Sequence, residues 1–244
     1  IRKKSDILEL QSYEDIAIIA TERSLQPHLP PVENLKSKCI KLQIGDEIDV
    51  SKLSLKLSEC GYKKTNNIDQ EGTWTRRGDI IDIYPVSSEL PIRLELFGDK
   101  LEKIKEFDPI SQRSLDKIDN VCITPTGFDP LIIKELISIK DKDISCLFSN
   151  DEYSELLNSN KLPSAKKYLG VAFEEPSSLL NYLDDNSFIV VDERTQGLSH
   201  GNSWNKIVNE SYKEIINSSI GIENIYKPNL HKDINDIYKA LNKY

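Results

Sequence analysis

The sequence predicts an α/β chain into which a small β-rich (α+β) domain is inserted. Three observations support this fold class. The apolar run Ile16–Ala20 is typical of a parallel strand that is covered on both faces. Short strands of alternating hydrophobicity then follow one another between Tyr62 and Thr124. After "TGFDP" the sequence again has the pattern of helices and strands that is typical of an α/β domain. The predicted parts are the truncated first piece of the parental domain, the insertion and the second piece of the parental domain, at residues 1–38, 39–126 and 127–244.

Each predicted element has a local signal. "CIKLQI" reads as a strand, and Asp49 is placed to cap a helix that ends at Gly61. In the middle part, Gly, Pro, Asp and Ser separate an antiparallel meander of "GTWTRRG", "IIDIYP", "PIRLELFG", "KLEKIKEFD" and "DKIDNVCITP". Beyond it we expect a helix at Leu131–Ile139, a strand "DISCLFS", a helix near Tyr153, a strand "SFIVVDE", a long polar helix and a last helix around Asp233–Leu241.

Composition and charge narrow the possible functions. The net charge of −8 and the pI near 5.1 disfavour a module that binds DNA directly, because such modules neutralise phosphates. The four Cys form no CxxC pair, so we expect no metal site and reduced thiols in the cytoplasm. No apolar run approaches the roughly 20 residues of a membrane span. Because the chain contains no Met, we expect it to be a piece of a longer protein.

The segment "FIVVDER" resembles a Walker B strand, in which Asp192 would hold Mg²⁺ and Glu193 would position water. A nucleotide site also needs a Gly-rich loop with a Lys, and the chain contains no GxxxxGK[ST]. Acidic residues also commonly end buried strands for structural reasons. The three His lie far apart in the sequence and suggest no catalytic triad. We therefore predict a degenerate Walker B-like segment, no catalytic residue and no bound cofactor in this chain.

The meander contains the more informative pattern. Period-two alternation in "PIRLELFG" places Ile92, Leu94 and Leu96 on one face of a strand and Arg93, Glu95 and Phe97 on the other. In "TWTRRG" the same rule places Arg77 on a face with Thr73 and Thr75. Outward Arg and Phe are the residue types enriched at interface hot spots. The alternative is that Arg93 pairs with Glu95 or Asp99 while Phe97 lies under a loop, and the pattern alone leaves both open.

These residues carry a resemblance to a known family. "RRGDIIDIYPVSSELPIRLELFGDKLEKIKEFDPISQRS" is similar to the segment shared by the excision-repair protein UvrB and the bacterial transcription–repair coupling factors. The ending "FDPISQRS" is closer to the coupling factors, and "ATERSLQPHLPP", "LGVAFEEPSSLLNYL" and "IVVDER" resemble their N-terminal region, particularly in cyanobacterial-type sequences. The resemblance covers nearly the whole chain.

The resemblance implies a UvrB-like module. Its parental domain would be a degenerate RecA-like, P-loop-type domain, and the inserted domain would bind UvrA through Arg77, Arg93 and Phe97. The module would be a non-catalytic part of a coupling factor in nucleotide excision repair. ATP, Mg²⁺, RNA polymerase and double-stranded DNA would be bound by parts of the longer protein outside this chain. The alternative from the same resemblance is a fragment of a UvrB-type, helicase-like ATPase.

Overall fold

The computed structural model describes residues 17–139, 148–159, 161–162, 164–184, 186–218 and 231–242. It contains both sheets and helices, which confirms the mixed α/β class at this level. The chain divides into two compact units. We call residues 33–130 the sheet unit, and the described residues of 17–32 and 131–242 the helical unit. The predicted boundaries of an inserted domain stay a prediction.

The sheet unit contains two helices and eight strands. They are α2 (Val32–Ser37), β1 (Ile40–Gln43), α3 (Val50–Glu59), β2 (Lys63–Lys64), β3 (Thr73–Arg77), β4 (Ile80–Tyr84), β5 (Ile92–Phe97), β6 (Lys100–Phe107), β7 (Ser114–Ile118) and β8 (Asn120–Ile123). Strands β2 to β7 form one sheet in chain order, with only the β2–β3 pair parallel. The predicted meander from β3 to β7 is confirmed.

The last predicted strand of the meander is corrected. "DKIDNVCITP" divides at Asp119: β7 completes the six-stranded sheet, whereas β8 leaves it and pairs antiparallel with β1. The backbone N–H of Ile44 donates to the carbonyl of Asp119 over 3.0 Å, which ties the division point to the end of β1. Asp119 and Asn120 are turn-favouring residues, but no Gly or Pro accompanies them, so the turn signal in the sequence is weak.

The core of the sheet unit lies between the six-stranded sheet and α3. Asp49 caps α3 as predicted, accepting hydrogen bonds from the backbone of Ser51 and Lys52 over 3.0 Å each. Gly61 ends the turn after α3 with a φ of 88°, and a Cβ there would lie 2.3 Å from Thr126 Oγ1. The apolar face of the sheet joins α3 and β1 through Trp74, Ile81, Ile83, Ile92, Leu94, Leu101, Ile104, Leu53, Leu57, Ile40 and Leu42.

The helical unit has α1 (Glu22–Leu25), most of α4 (Asp129–Ser138), α5 (Asn150–Ser159), α6 (Leu169–Ala172), α7 (Arg194–Ser218), α8 (Ile234–Leu241) and two short 3₁₀ helices (Ala165–Tyr168 and Leu179–Tyr182). One of its small cores consists of Leu180, Ile234, Ile237 and Tyr238. Helices α7 and α8 approach closely, since a Cβ on Gly201 would lie 2.4 Å from Ile234. The helices predicted near Leu131–Ile139, Tyr153 and Asp233–Leu241 are confirmed.

Two predicted strands of the helical unit are wrong. Residues 17–20 of the run Ile16–Ala20 form no strand, and Ile19 is 94% exposed. Residues 187–192 of "SFIVVDE" form none either, and Phe188 is 87% exposed. The strand predicted at "DISCLFS" lies almost entirely outside the described residues. An apolar run becomes a buried strand only where neighbours cover it, and the described residues of this unit provide no sheet to do so.

Candidate functional site

Two matching hairpin turns place Arg77 and Phe97 at the same end of the six-stranded sheet. Gly78–Asp79 joins β3 to β4, and Gly98–Asp99 joins β5 to β6. Both glycines have a φ of 61°, as the first central residue of a type II′ hairpin turn requires. The backbone N–H of Leu96 donates to the carbonyl of Asp79 over 2.9 Å and links the first turn to the end of β5. We call residues 77–80 and 97–100 the tip.

The chain between β1 and α3 braces the tip from one side. The backbone of Gly45 donates to Leu101 over 2.8 Å, and Leu101 donates in return to Asp46 over 2.9 Å. The backbone of Ile48 donates to Asp99 over 2.6 Å. Because these bonds join the second turn to a separate segment, the tip is held by more than its own strands. The side chains at the tip therefore stand on a fixed backbone.

The sheet has an outer face, opposite the core, that carries the predicted site. Arg77, Ile80 and Glu95 lie in one cross-strand row of this face, because Arg77 pairs with Ile80 and Ile80 with Glu95. The Arg77 side chain is 56% exposed, and Phe97, at the end of β5, is 76% exposed. Phe97 does not lie under a loop, which removes that part of the alternative interpretation. The row and Phe97 form an exposed, partly apolar and basic surface.

Arg93 lies on the outer face as the alternation predicts, but most of its side chain is covered. Its side chain is 16% exposed and binds Asp82, with Nε donating to Oδ1 over 2.8 Å and Nη2 to Oδ2 over 3.0 Å. The hydrogen bond to Asp82 is the main reason that the pKa of Arg93 is raised. Nη1 also donates to the carbonyl of Gln112 over 3.4 Å, and the guanidinium lies 4.7 Å from the centre of the Phe107 ring. The ion-pair partner of Arg93 is thus Asp82, and not Glu95 or Asp99 as the alternative interpretation had it.

Asp82 is the residue that sequence reasoning missed. It lies on β4 directly between Thr75 and Arg93, is fully buried, and also accepts a hydrogen bond from Arg77 Nη2 over 3.0 Å. A buried carboxylate needs such partners, since an uncompensated charge in the interior is costly. The available signal was the single polar position in "IIDIYP", but the two Gly-Asp turns fix only the β3–β4 and β5–β6 registers, and residues 85–91 separate the two strands that set Asp82 opposite Arg93.

The neighbouring charges make this face basic. Glu95 forms ion pairs with Lys105 over 2.5 Å and with Lys103 over 3.7 Å. The hydrogen bond from Lys105 is the main cause of the lowered pKa of Glu95. With the two arginines, these lysines give four cations against the carboxylates of Glu95 and Asp82. A basic face on a chain whose net charge is −8 suits an acidic surface of a partner.

The residues singled out for nucleotide chemistry are not assembled into a site. Asp192 and Glu193 are exposed and follow a segment that is not a strand, so their assignment to a degenerate Walker B stays a prediction. His28 and His231 line one polar cavity of about 740 Å³ in the helical unit, to which His200 does not contribute. The described residues contain no group of three or more His, Cys, Asp or Glu arranged to hold a metal ion. Within the same residues no helix is long and apolar enough to cross a membrane.

Comparison with known proteins relates the sheet unit to a repair family. The chain is 32% identical over 207 residues, 77% of its length, to the transcription-repair-coupling factor of Bacillus subtilis (strain 168). It is 32% identical over 187 residues, 69% of its length, to that of Staphylococcus aureus (strain MSSA476). The chain spans only 17% and 16% of these relatives. Residues 40–127, which include the tip and Asp82, match the UvrB interaction domain family. This part of the chain belongs to that family.

Proposed function

We propose that the chain is the non-catalytic UvrA-recruiting module of a transcription–repair coupling factor, acting in nucleotide excision repair. The observation that carries the proposal is Phe97, which lies exposed on a braced backbone at the same end of the sheet as Arg77, inside the segment that matches the UvrB interaction domain. The two relatives described above are both named as coupling factors. UvrA would dock on the tip and on the adjoining part of the outer face.

The chemistry of the tip suits recognition of a protein surface. The core of the sheet unit is complete without Phe97, so the exposed ring serves no packing role in this unit. A ring that moves from water into a pocket of the partner contributes favourably by burial of apolar area. Arg77 adds a planar guanidinium that can bind a carboxylate through two parallel hydrogen bonds. An aromatic anchor and an Arg on one surface are a typical hot-spot combination.

The wider setting follows from the relatives and belongs to the same proposal. In the longer protein, ATP-driven motor parts would bind ATP, Mg²⁺ and double-stranded DNA, and another part would bind RNA polymerase. The helical unit would descend from a RecA-like domain that has lost its nucleotide site. The protein would act in the cytoplasm. The alternative of a UvrB-type ATPase fragment is less well supported. The two relatives are named as coupling factors, and Asp192 and Glu193 lie exposed after residues 187–192, which form no strand.

Titration calorimetry of the chain against purified UvrA tests the proposal. We expect saturable binding that Arg77→Ala weakens by about 2 kcal/mol, or roughly 30-fold, as for a hot-spot Arg. Arg76→Ala is the matched control: Arg76 is the exposed neighbour on β3 but alternates to the other face, where Nε donates to the Gly78 carbonyl. Absence of binding by the folded chain, or equal losses in both variants, would contradict the proposal.

A further inference from the structure

The two arginines of the predicted site differ in what remains free to meet a partner. Arg93 has five N–H donors, and its Nε, Nη1 and Nη2 all have acceptors within the unit. One face of its guanidinium lies over the Phe107 ring, which is itself fully buried. Three of the five donors of Arg93 are therefore already used within the unit, and only 16% of its side chain is exposed to a partner. The resemblance that assigns a direct contact to Arg93 does not fit this geometry.

Arg77 has the opposite arrangement. More than half of its side chain is exposed, and its one hydrogen bond within the described residues joins Nη2 to Asp82 Oδ2. The same carboxylate oxygen also accepts from Arg93 Nη2 over 3.0 Å. Asp82 thus holds one corner of the Arg77 guanidinium and leaves its other donors toward solvent. A free arginine side chain would lose considerable rotamer entropy on binding, and this anchor removes part of that loss in advance.

Asp82 is in turn held in one orientation by Arg93. The bidentate pair between Nε–Nη2 of Arg93 and the two oxygens of Asp82 fixes the plane of the carboxylate. Asp82 has no exposed surface, so it cannot contact a partner itself. The hydrogen bonds therefore link Arg93 to Asp82 and Asp82 to Arg77 across three adjacent strands, and Arg77 is the most exposed of the three.

The geometry points to a division of roles in which Arg77 contacts UvrA, whereas Arg93 and the buried Asp82 are positioning residues that fix the Arg77 guanidinium. This inference rests on the proposed function. It differs from a purely electrostatic explanation in the predicted direction of the change in UvrA affinity when the Asp82 charge is removed. Removing the Asp82 charge makes the face more basic, so attraction to an acidic partner alone would tighten binding. Loss of the anchor for Arg77 weakens it instead.

The test is a double-mutant cycle in which UvrA affinity is measured for Asp82→Asn, Arg77→Ala and the double variant. Asp82→Asn keeps the shape of the side chain and removes its charge, and we expect roughly tenfold weaker binding. In the Arg77→Ala background the same change should alter affinity by less than about twofold, because the residue it positions is gone. Unchanged or tighter binding by Asp82→Asn, or fully additive losses, would overturn the inference.

Arg93→Lys provides an independent arm if Asp82→Asn fails to fold. The Lys keeps the positive charge but lacks the fork that orients Asp82. We expect it to weaken binding several-fold and to lose this effect in the Arg77→Ala background, as Asp82→Asn does. If Arg93 instead contacted the partner directly through its guanidinium fork, the loss caused by Arg93→Lys would add to that of Arg77→Ala. Thermal unfolding of each variant separates a folded chain with poor affinity from an unfolded one.

A measurement without UvrA separates the inference from the proposed function. The guanidinium N–H signals of Arg77, observed by NMR in the unbound chain, should be sharpened by the hydrogen bond to Asp82. In a folded Asp82→Asn or Arg93→Lys variant they should approach those of a solvated arginine. If the wild-type chain failed to bind UvrA while the signals changed as expected, the proposed function would fail and the positioning of Arg77 would stand. Unchanged Arg77 signals in both variants would refute the positioning.

Discussion

The two units of the chain each expose a phenylalanine, but in opposite surroundings. Phe97 ends a strand whose inward residues are buried, and backbone hydrogen bonds to Asp79 and from Ile48 to Asp99 hold the surrounding chain in place. Phe188 lies in a segment of 187–192 that forms no strand, and Val190 beside it is exposed as well. Exposure of an apolar side chain therefore has two meanings here. On a completed sheet it indicates a contact surface, whereas in the helical unit it accompanies an apolar run without a covering layer.

Truncating one apolar residue in each region should affect stability very differently. Leu94→Ala should lower the free energy of unfolding of the sheet unit by about 3 kcal/mol, because Leu94 is fully buried in its core. Val190→Ala should change stability by less than about 0.5 kcal/mol, since its side chain is mostly exposed. Urea unfolding followed by circular dichroism measures both. Similar losses for the two variants would show that the 187–192 segment is packed after all.

The second prediction sets the two exposed rings against each other in binding. Phe97→Ala should weaken UvrA binding by about 2 kcal/mol without loss of thermal stability, because the ring contributes to the contact and not to the core. Phe188→Ala is the matched control and should leave the affinity within about 0.5 kcal/mol of wild type. Calorimetric titration distinguishes the two. A larger loss for Phe188→Ala would move the binding surface to the helical unit.

A smaller effect is expected from the backbone of the tip. Gly98→Ala should destabilise the sheet unit by about 1 kcal/mol, because a side chain at a φ of 61° is strained. Space is not the cause, since a Cβ at this position would have no atom within 4 Å. Gly98→Asn should cost less, because Asn tolerates the left-handed region. Chemical denaturation should therefore give Gly98→Ala a lower free energy of unfolding than Gly98→Asn. The reverse order would contradict the assigned turn.

The smallest predicted effect is a dependence on pH in the helical unit. Burial disfavours the ionised form of Glu152, but hydrogen bonds from Lys167, Ser149 and Tyr168 outweigh it and lower the pKa from 4.5 to about 2. A lowered folded-state pKa stabilises the protein above the unfolded-state value, and this contribution disappears as the pH falls toward 2. Glu152→Gln should cost about 0.5 to 1 kcal/mol at pH 7, since Lys167 is partly solvated.

The pH profile of that variant provides its own control. The stability difference between wild type and Glu152→Gln should shrink as the pH falls below 4.5 and should be small near pH 2. A difference that stayed constant over this range would show that the amide disturbs packing and that the carboxylate charge is unimportant. Denaturant titrations at several acidic pH values give the profile.

Local signals in the sequence predicted much of the sheet unit because local physics decides those features. Alternation in "PIRLELFG" placed Phe97 outside, and the Asp49 cap set the start of α3. Asp82 was missed because its role depends on strand register: only the paired strands show that it lies opposite Arg93 and accepts hydrogen bonds from both Arg77 and Arg93. The strands predicted at Ile16–Ala20 and 187–193 were wrong because burial of an apolar run depends on neighbours that the run does not encode.

Hydrogen–deuterium exchange of the chain with and without UvrA, read out by peptide, tests most directly whether UvrA docks on the tip. Exchange reports protection of backbone amides wherever a partner excludes water or suppresses local opening. We predict protection at residues 77–80 and 95–103, the tip and the adjoining outer face, with no change at 187–192. Protection confined to the helical unit, with an unaltered tip, would contradict the account.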